Sequence, residues 1–124
     1  MKIRILGNTI RIRVKMFETD ALKDTGMIEE VLSFGPDDTD KLRFQVMAGD
    51  EDFAIVRDPM IIRIVVPQAL VHTWATTDLV GFEELITTSK GAQINVLVEK
   101  DFACLDGDRE EEEGSYPNPI ENCN

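Results

Sequence analysis

Lys2-Ile3-Arg4-Ile5-Leu6-Gly7-Asn8-Thr9-Ile10-Arg11-Ile12-Arg13-Val14 is the stretch on which the fold turns. Ile3 and Ile5 alternate with Lys2 and Arg4, and Ile10, Ile12 and Val14 alternate with Arg11 and Arg13. A period of two sends successive side chains to opposite faces of a strand. Gly7-Asn8 lies between the two runs and suits a two-residue primed turn, because both residue types tolerate positive φ. A hairpin closed there sets Ile5 opposite Ile10 and Ile3 opposite Ile12, giving one unbroken apolar face. The other face carries Lys2 opposite Arg13 and Arg4 opposite Arg11.

Working outward, residues 16–25 read as a short helix whose inward face holds Phe17, Ala21 and Leu22, stopped by Gly26 in a left-handed C-cap. A strand follows from Met27 to Phe34, then a turn at Gly35-Pro36-Asp37-Asp38. The returning strand alternates Leu42, Phe44 and Val46 against Lys41, Arg43 and Gln45. Gly49-Asp50-Glu51-Asp52 is a polar break, after which the same order recurs. Residues 53–56 and 61–66 are strands around Asp58-Pro59, and Pro67 opens a helix whose apolar side is Leu70, Val71, Trp74 and Ala75. Residues 80–86 and 92–98 close the pattern as a hairpin around Ser89-Lys90-Gly91. Sliding the chain by 52 positions lays residues 8–33 on 60–85 with five identities: Ile10, Arg11, Ile12, Val14 and Thr25 fall on Ile62, Arg63, Ile64, Val66 and Thr77. The expected fold is α+β: a mainly antiparallel small β-barrel or sandwich with two short helices. Residues 1–48 and 53–100 would be pseudo-two-fold ββαββ halves of a cradle-loop-like internal duplication.

The length of 124 residues fits one domain, and the balance of 43% hydrophobic to 30% charged residues is that of a globular chain. The formal charge of −11 is unevenly spread. Residues 106–124 hold seven acids against Arg109 alone, a charge of −6 that leaves −5 for the body. We therefore divide the chain into an α+β domain at 1–105 and an acidic, largely disordered tail at 106–124. A surface this acidic repels phosphate backbones over about 8–10 Å, which disfavours nucleic acid as a partner. The arginines of the opening stretch interrupt any secretory apolar region, and no apolar run is long enough to span a membrane, so the expected location is the cytoplasm. In that compartment Cys104 and Cys123 form no disulfide framework.

Two resemblances bear on these expectations. The segment 60–86, with I-I-R-I-V-V-P-Q-A-L-V-H-T-W-A-T-T-D-L-V-G-F-E at its centre, resembles the strand–Pro–helix–strand units of swapped-hairpin and double-psi barrels. Those include bacterial transition-state regulators and antitoxins, and the likeness implies a barrel. It departs from the pattern where a Gly-Asp turn is usual, since Thr77-Asp78 precedes Leu79-Val80-Gly81 here. Over most of its length the chain also resembles a small bacterial family with no known activity. That family opens K-I-R-I-x-G-N-S-I-R and carries V-E-K-D-F-x-C-L-D ahead of Y-P-N-P. The matching stretches are Lys2 to Arg11, with Thr9 in place of Ser, Val98 to Asp106, and Tyr116-Pro117-Asn118-Pro119.

Four cations on one hairpin face form the first candidate site: Lys2, Arg4, Arg11 and Arg13, with no acid among the first seventeen residues. Like charges directly across a ladder are unfavourable, so something anionic is expected against them. That could be an acidic partner, a phosphate or nucleic acid; the plainer reading is that acids from neighbouring strands or the tail neutralise the face. The second candidate is a reactive or metal site at Cys104 and Asp106, with Asp108 or Cys123 helping. Paired metal-ligand spacings are absent there, and the plainer reading is a Cys at a strand end. His72 is expected exposed, and Trp74 is expected in the core. The pairs Glu29-Glu30 and Glu83-Glu84 lie on strands, so adjacent carboxylates point to opposite faces and form no catalytic dyad.

No phosphate-loop, dinucleotide, zinc-protease or nucleophile-elbow motif occurs, and no cofactor or metal is expected. The leading expectation is a non-catalytic binding or interaction module, monomeric or homodimeric, engaging a protein or anionic partner through the basic hairpin. The alternatives are a DNA-binding regulator or antitoxin-like protein, and a small metal- or thiol-dependent enzyme at Cys104 and Asp106.

Overall fold

A computed structural model describes residues 1–102. The chain runs β1 (Lys2–Leu6), β2 (Thr9–Val14), α1 (Met16–Thr25), β3 (Met27–Ser33), β4 (Lys41–Gly49), β5 (Ala54–Asp58), β6 (Ile61–Pro67), α2 (Gln68–Thr76), β7 (Gly81–Thr87) and β8 (Gln93–Lys100). One 3-10 turn at Asp38–Asp40 leads into β4. The β1–β2 hairpin has the register expected of it, with Ile3 on Ile12, Ile5 on Ile10, Lys2 on Arg13 and Arg4 on Arg11. Of its two turn residues only Gly7 has positive φ, at 56°, the pattern of a II′ turn. Asn8 serves differently: its side-chain amide donates to the Gln93 carbonyl at 3.1 Å, and its own carbonyl accepts from the Asn95 N–H at 2.9 Å. The turn is thereby tied to the start of β8.

The strands form two four-stranded sheets, ordered β1-β2-β8-β7 and β3-β4-β6-β5. Each sheet joins one hairpin from the first half of the chain to one from the second. The joints are the parallel pairs β2–β8 and β4–β6; the other ladders are antiparallel. Pairings recur at the 52-residue offset: Lys2–Arg13 and Arg4–Arg11 in one sheet correspond to Ala54–Val65 and Val56–Arg63 in the other. Thr9–Asn95 likewise corresponds to Ile61–Arg43. The closed-barrel alternative is overturned, because β1, β7, β3 and β5 end the sheets without pairing to one another. At the approach of β5 to β7 the rings of Phe53 and Phe82 meet at 6.0 Å between centroids. Side chains therefore fill a seam that a ladder would need to close to about 4.8 Å between backbones. The result is sandwich-like α+β.

The core is built from Ile10, Ile12 and Val14 of β2, Val96 and Val98 of β8, Val46 of β4, and Ile64 and Val66 of β6, with Leu22, Val71 and Trp74 from the helices. Trp74 is fully buried. Its indole N–H donates to the Val80 carbonyl at 3.0 Å, and its ring meets Phe82 edge-on at 5.4 Å, so the large ring leaves no polar atom unsatisfied. Helix α1 ends at Gly26 as expected, but it is rolled differently from its apolar pattern. Phe17 is 69% exposed, and Glu18, Thr19 and Leu22 face inward. Glu18 explains the roll. One carboxylate oxygen accepts from the Lys15 backbone N–H at 3.0 Å, and the other holds the Met1 α-ammonium at 2.7 Å. An ion pair anchoring the first helical turn thus outweighs burial of one phenyl ring.

Candidate functional site

Period two and the two-residue turn put Lys2 and Arg4 of β1 and Arg11 and Arg13 of β2 on the outer face of the first sheet, as expected. The parallel pairing to β8 adds what the hairpin alone could not show. Arg13 sits beside Glu99 and Arg11 beside Leu97. The Glu99 carboxylate accepts from Arg11 Nε at 2.5 Å and from Arg13 Nε at 3.1 Å, and Asp101 pairs with Lys2 Nζ at 3.2 Å. Burial alone would push the Glu99 carboxyl up. The hydrogen bonds from Arg11 and Arg13, together with their charges, outweigh burial and hold its pKa below the ordinary carboxylate range. On the far side of β8, Gly81 lies opposite Glu99, so the β7 position directly across from it carries no side chain. Neighbouring-strand acids therefore meet the basic face, in keeping with the plainer of the two readings for Lys2, Arg11 and Arg13.

A second feature escaped the sequence reading. Beside the end of β8 lies a cleft of about 620 Å³. Val14, Met16 and Phe102 supply apolar lining, and Asp20, Asp78 and Asp101 supply carboxylates. Its origin is a difference between the halves. Only Gly26 separates α1 from β3, whereas residues 77–80 separate α2 from β7, and Thr77 and Asp78 of that longer link form one wall. The same difference shows in register, where the β3–β4 and β7–β8 ladders depart by two residues from the 52-residue correspondence. Asp101 belongs both to the cleft and to the cationic face, which makes the end of β8 the junction of the two.

His72 is exposed on α2. Glu29 and Glu30 point apart: Glu29 binds Arg43 at 2.8 Å and Gln45 at 2.6 Å, and Glu30 lies 3.5 Å from the Met1 ammonium. Cys104, Asp106, Asp108 and Cys123 lie outside the described residues, as does the whole acidic tail. Among the described residues no cluster of three or more His, Cys, Asp or Glu side chains is placed to hold a metal ion. Among the same residues no helix is long and apolar enough to cross a membrane.

No curated protein and no solved structure matches this chain. The match to known families is nearly end to end and takes in the cationic hairpin, the cleft and the acidic run: residues 1–120 fit the family described as "Family of unknown function (DUF7009)", and the chain belongs to it.

Proposed function

We propose that this chain is a non-catalytic binding module that takes an acidic segment of a partner protein across the outer face of β1 and β2. One observation carries the reading. The second hairpin supplies an internal comparison, because β5 and β6 pair in the same register 52 residues on. Where β1 and β2 place Lys2, Arg4 and Arg13, that hairpin places Ala54, Val56 and Val65; only Arg11 has a basic counterpart, Arg63. The architecture accommodates uncharged residues at those three positions. Two like-charge cross-strand pairs, each unfavourable by a few tenths of a kcal/mol, are therefore not a demand of folding. Guanidinium groups are well matched to carboxylates, and Arg11 and Arg13 each already donate to the Glu99 carboxylate, so carboxylate-rich chain is the fitting ligand class.

The test follows from the same comparison. Lys2→Ala, Arg4→Val and Arg13→Val together convert the first hairpin toward residues its counterpart tolerates. Wild type is expected to bind a hexaglutamate peptide, more weakly as salt rises from about 0.05 to 0.2 M, and the triple variant to lose about tenfold or more. Equal binding by the two folded proteins would discard the reading. Retention of wild type on heparin at about 0.1 M salt, without peptide binding, would favour the DNA-binding alternative instead.

A further inference from the structure

We infer that the outer edge of β3 pairs with the β3 of a second copy of this chain, joining two four-stranded sheets across a two-fold axis. The backbone of β3 is the first support. The Phe34 N–H donates to the Asp40 carbonyl and the Ala48 N–H to the Gly26 carbonyl, each at 2.9 Å, so these two pairs extend the β3–β4 ladder at its ends. Even-numbered residues of β3 therefore turn their N–H and C=O groups toward β4, and Glu29, Val31 and Ser33 turn theirs away. No described strand pairs with that edge. Edge strands are commonly guarded by charge. Lys2 and Arg4 lie on β1, Arg57 and Asp58 on β5, and Glu83 and Glu84 on β7. On β3 the charged residues are Glu29, bound to Arg43 and Gln45, and Glu30, 3.5 Å from the Met1 ammonium. Beyond them Val31-Leu32-Ser33-Phe34 carries no charge at all.

The internal comparison shows that this end of the second sheet is apolar beyond what the chain itself covers. The pairs Phe44–Ile62 and Leu32–Leu42 correspond to Val96–Ile10 and Ile86–Ile94 of the first sheet. Ile10, Ile86 and Val96 are buried in the core, whereas Leu32 is 55% exposed, Phe44 and Ile62 are half-buried, and Phe34 beside them is 70% exposed. The sequence of β3 is also complementary to itself. An antiparallel pair with Leu32 on the axis sets Leu32 opposite Leu32 and Val31 opposite Ser33, and Glu29 and Glu30 fall opposite Gly35 and Phe34. This register joins Val31 to Ser33 through their outward N–H and C=O groups. It leaves the two leucines in the non-hydrogen-bonded pair, where side chains approach most closely. An axis on Glu30 would bring two glutamates face to face. A two-fold pairing uses up both edges, so it closes at the dimer.

The experiment is sedimentation equilibrium of the full chain from about 5 to 500 μM, a range suited to a small and weak interface. Wild type is expected to pass from monomer to dimer and no further. Leu32→Lys places a charge at the axis. Val31→Pro deletes an N–H aimed at the free edge and leaves the β4 ladder intact, since the bonds to β4 belong to Glu30 and Leu32. Each should weaken association about tenfold or more with an unchanged circular dichroism spectrum, and the Lys variant alone suffices if the Pro variant does not fold. Leu85→Lys, at an exposed position on the β7 edge, should leave association unchanged. Each copy carries −11, so raising salt to about 0.5 M should preserve or tighten the dimer by screening repulsion. Association through the cationic face would weaken instead. A monomer throughout, growth past the dimer, loss of association at high salt, or a dimer that neither β3 substitution weakens would overturn the inference, and none of these bears on peptide binding at β1 and β2.

Discussion

Glu99 is the residue on which the outer face of the first sheet is poised. Two guanidinium groups on one carboxylate separate the like charges of Arg11 and Arg13, and the lowered pKa of Glu99 records that gain. Because the folded-state pKa lies below the ordinary value of 4.5, the contribution is fully present above that value and is lost as pH falls through the lowered one. Glu99→Gln keeps the shape and removes the charge. Its stability deficit, about 1 kcal/mol for a half-exposed pair, should be constant from pH 6 to 8 in urea titrations and should shrink below about pH 4. A deficit that grows on acidification would contradict the assignment. Gln45 shows the other solution to a polar group at a sheet: it is 7% exposed, donates to Glu29 at 2.6 Å and accepts from Arg63 at 2.9 Å. Both ends of its amide are satisfied, so its burial carries little cost.

At the scale of elements, what could be read in advance was whatever is encoded locally. The β1–β2 hairpin was legible because period two and Gly7-Asn8 specify face, register and turn within thirteen residues, and the cations followed from it. Pro67 and Gly26 likewise mark the start of α2 and the end of α1. The roll of α1 was not legible. It depends on Glu18 meeting the Met1 ammonium, a contact between residues seventeen positions apart that no helical pattern records. Nor were the parallel ladders β2–β8 and β4–β6, whose partners lie far apart in sequence, and with them went Glu99 as the counter-charge and the open edges that exclude a barrel. Gly81 belongs to this non-local class. A Cβ there would lie 2.8 Å from Glu99 Cα and 2.7 Å from Glu99 Cβ and would run into the Val98 carbonyl. Gly81→Ala should therefore destabilise by about 1–3 kcal/mol in chemical denaturation, through displacement of β7 from β8. An unchanged midpoint would mean that the two strands are not held at this spacing.

The whole molecule is an exchange of hairpins. Neither half of the chain owns a sheet: β1–β2 is completed by β7–β8, and β3–β4 by β5–β6. A lone two-stranded hairpin is marginal in water, whereas four strands with one buried face are not. The core is likewise shared, since Leu22 of α1 and Trp74 of α2 are buried in one cluster with residues of both sheets. The recurrence of register at 52 residues is what ancestral duplication of a ββαββ unit would leave, and we propose that origin; the physical consequence does not depend on it. Stability should belong to the assembly and not to either half. The exposed link Asp50-Glu51-Asp52 is the place to cut, as it joins β4 to β5 without contributing to a ladder. The full chain should unfold in one cooperative step. Fragments 1–51 and 52–124 should each lack strand signal by circular dichroism when alone, and should regain it on mixing at equal concentration. A fragment that folds by itself, or two separated transitions in the full chain, would show that the parallel joints are incidental contacts between two independent units.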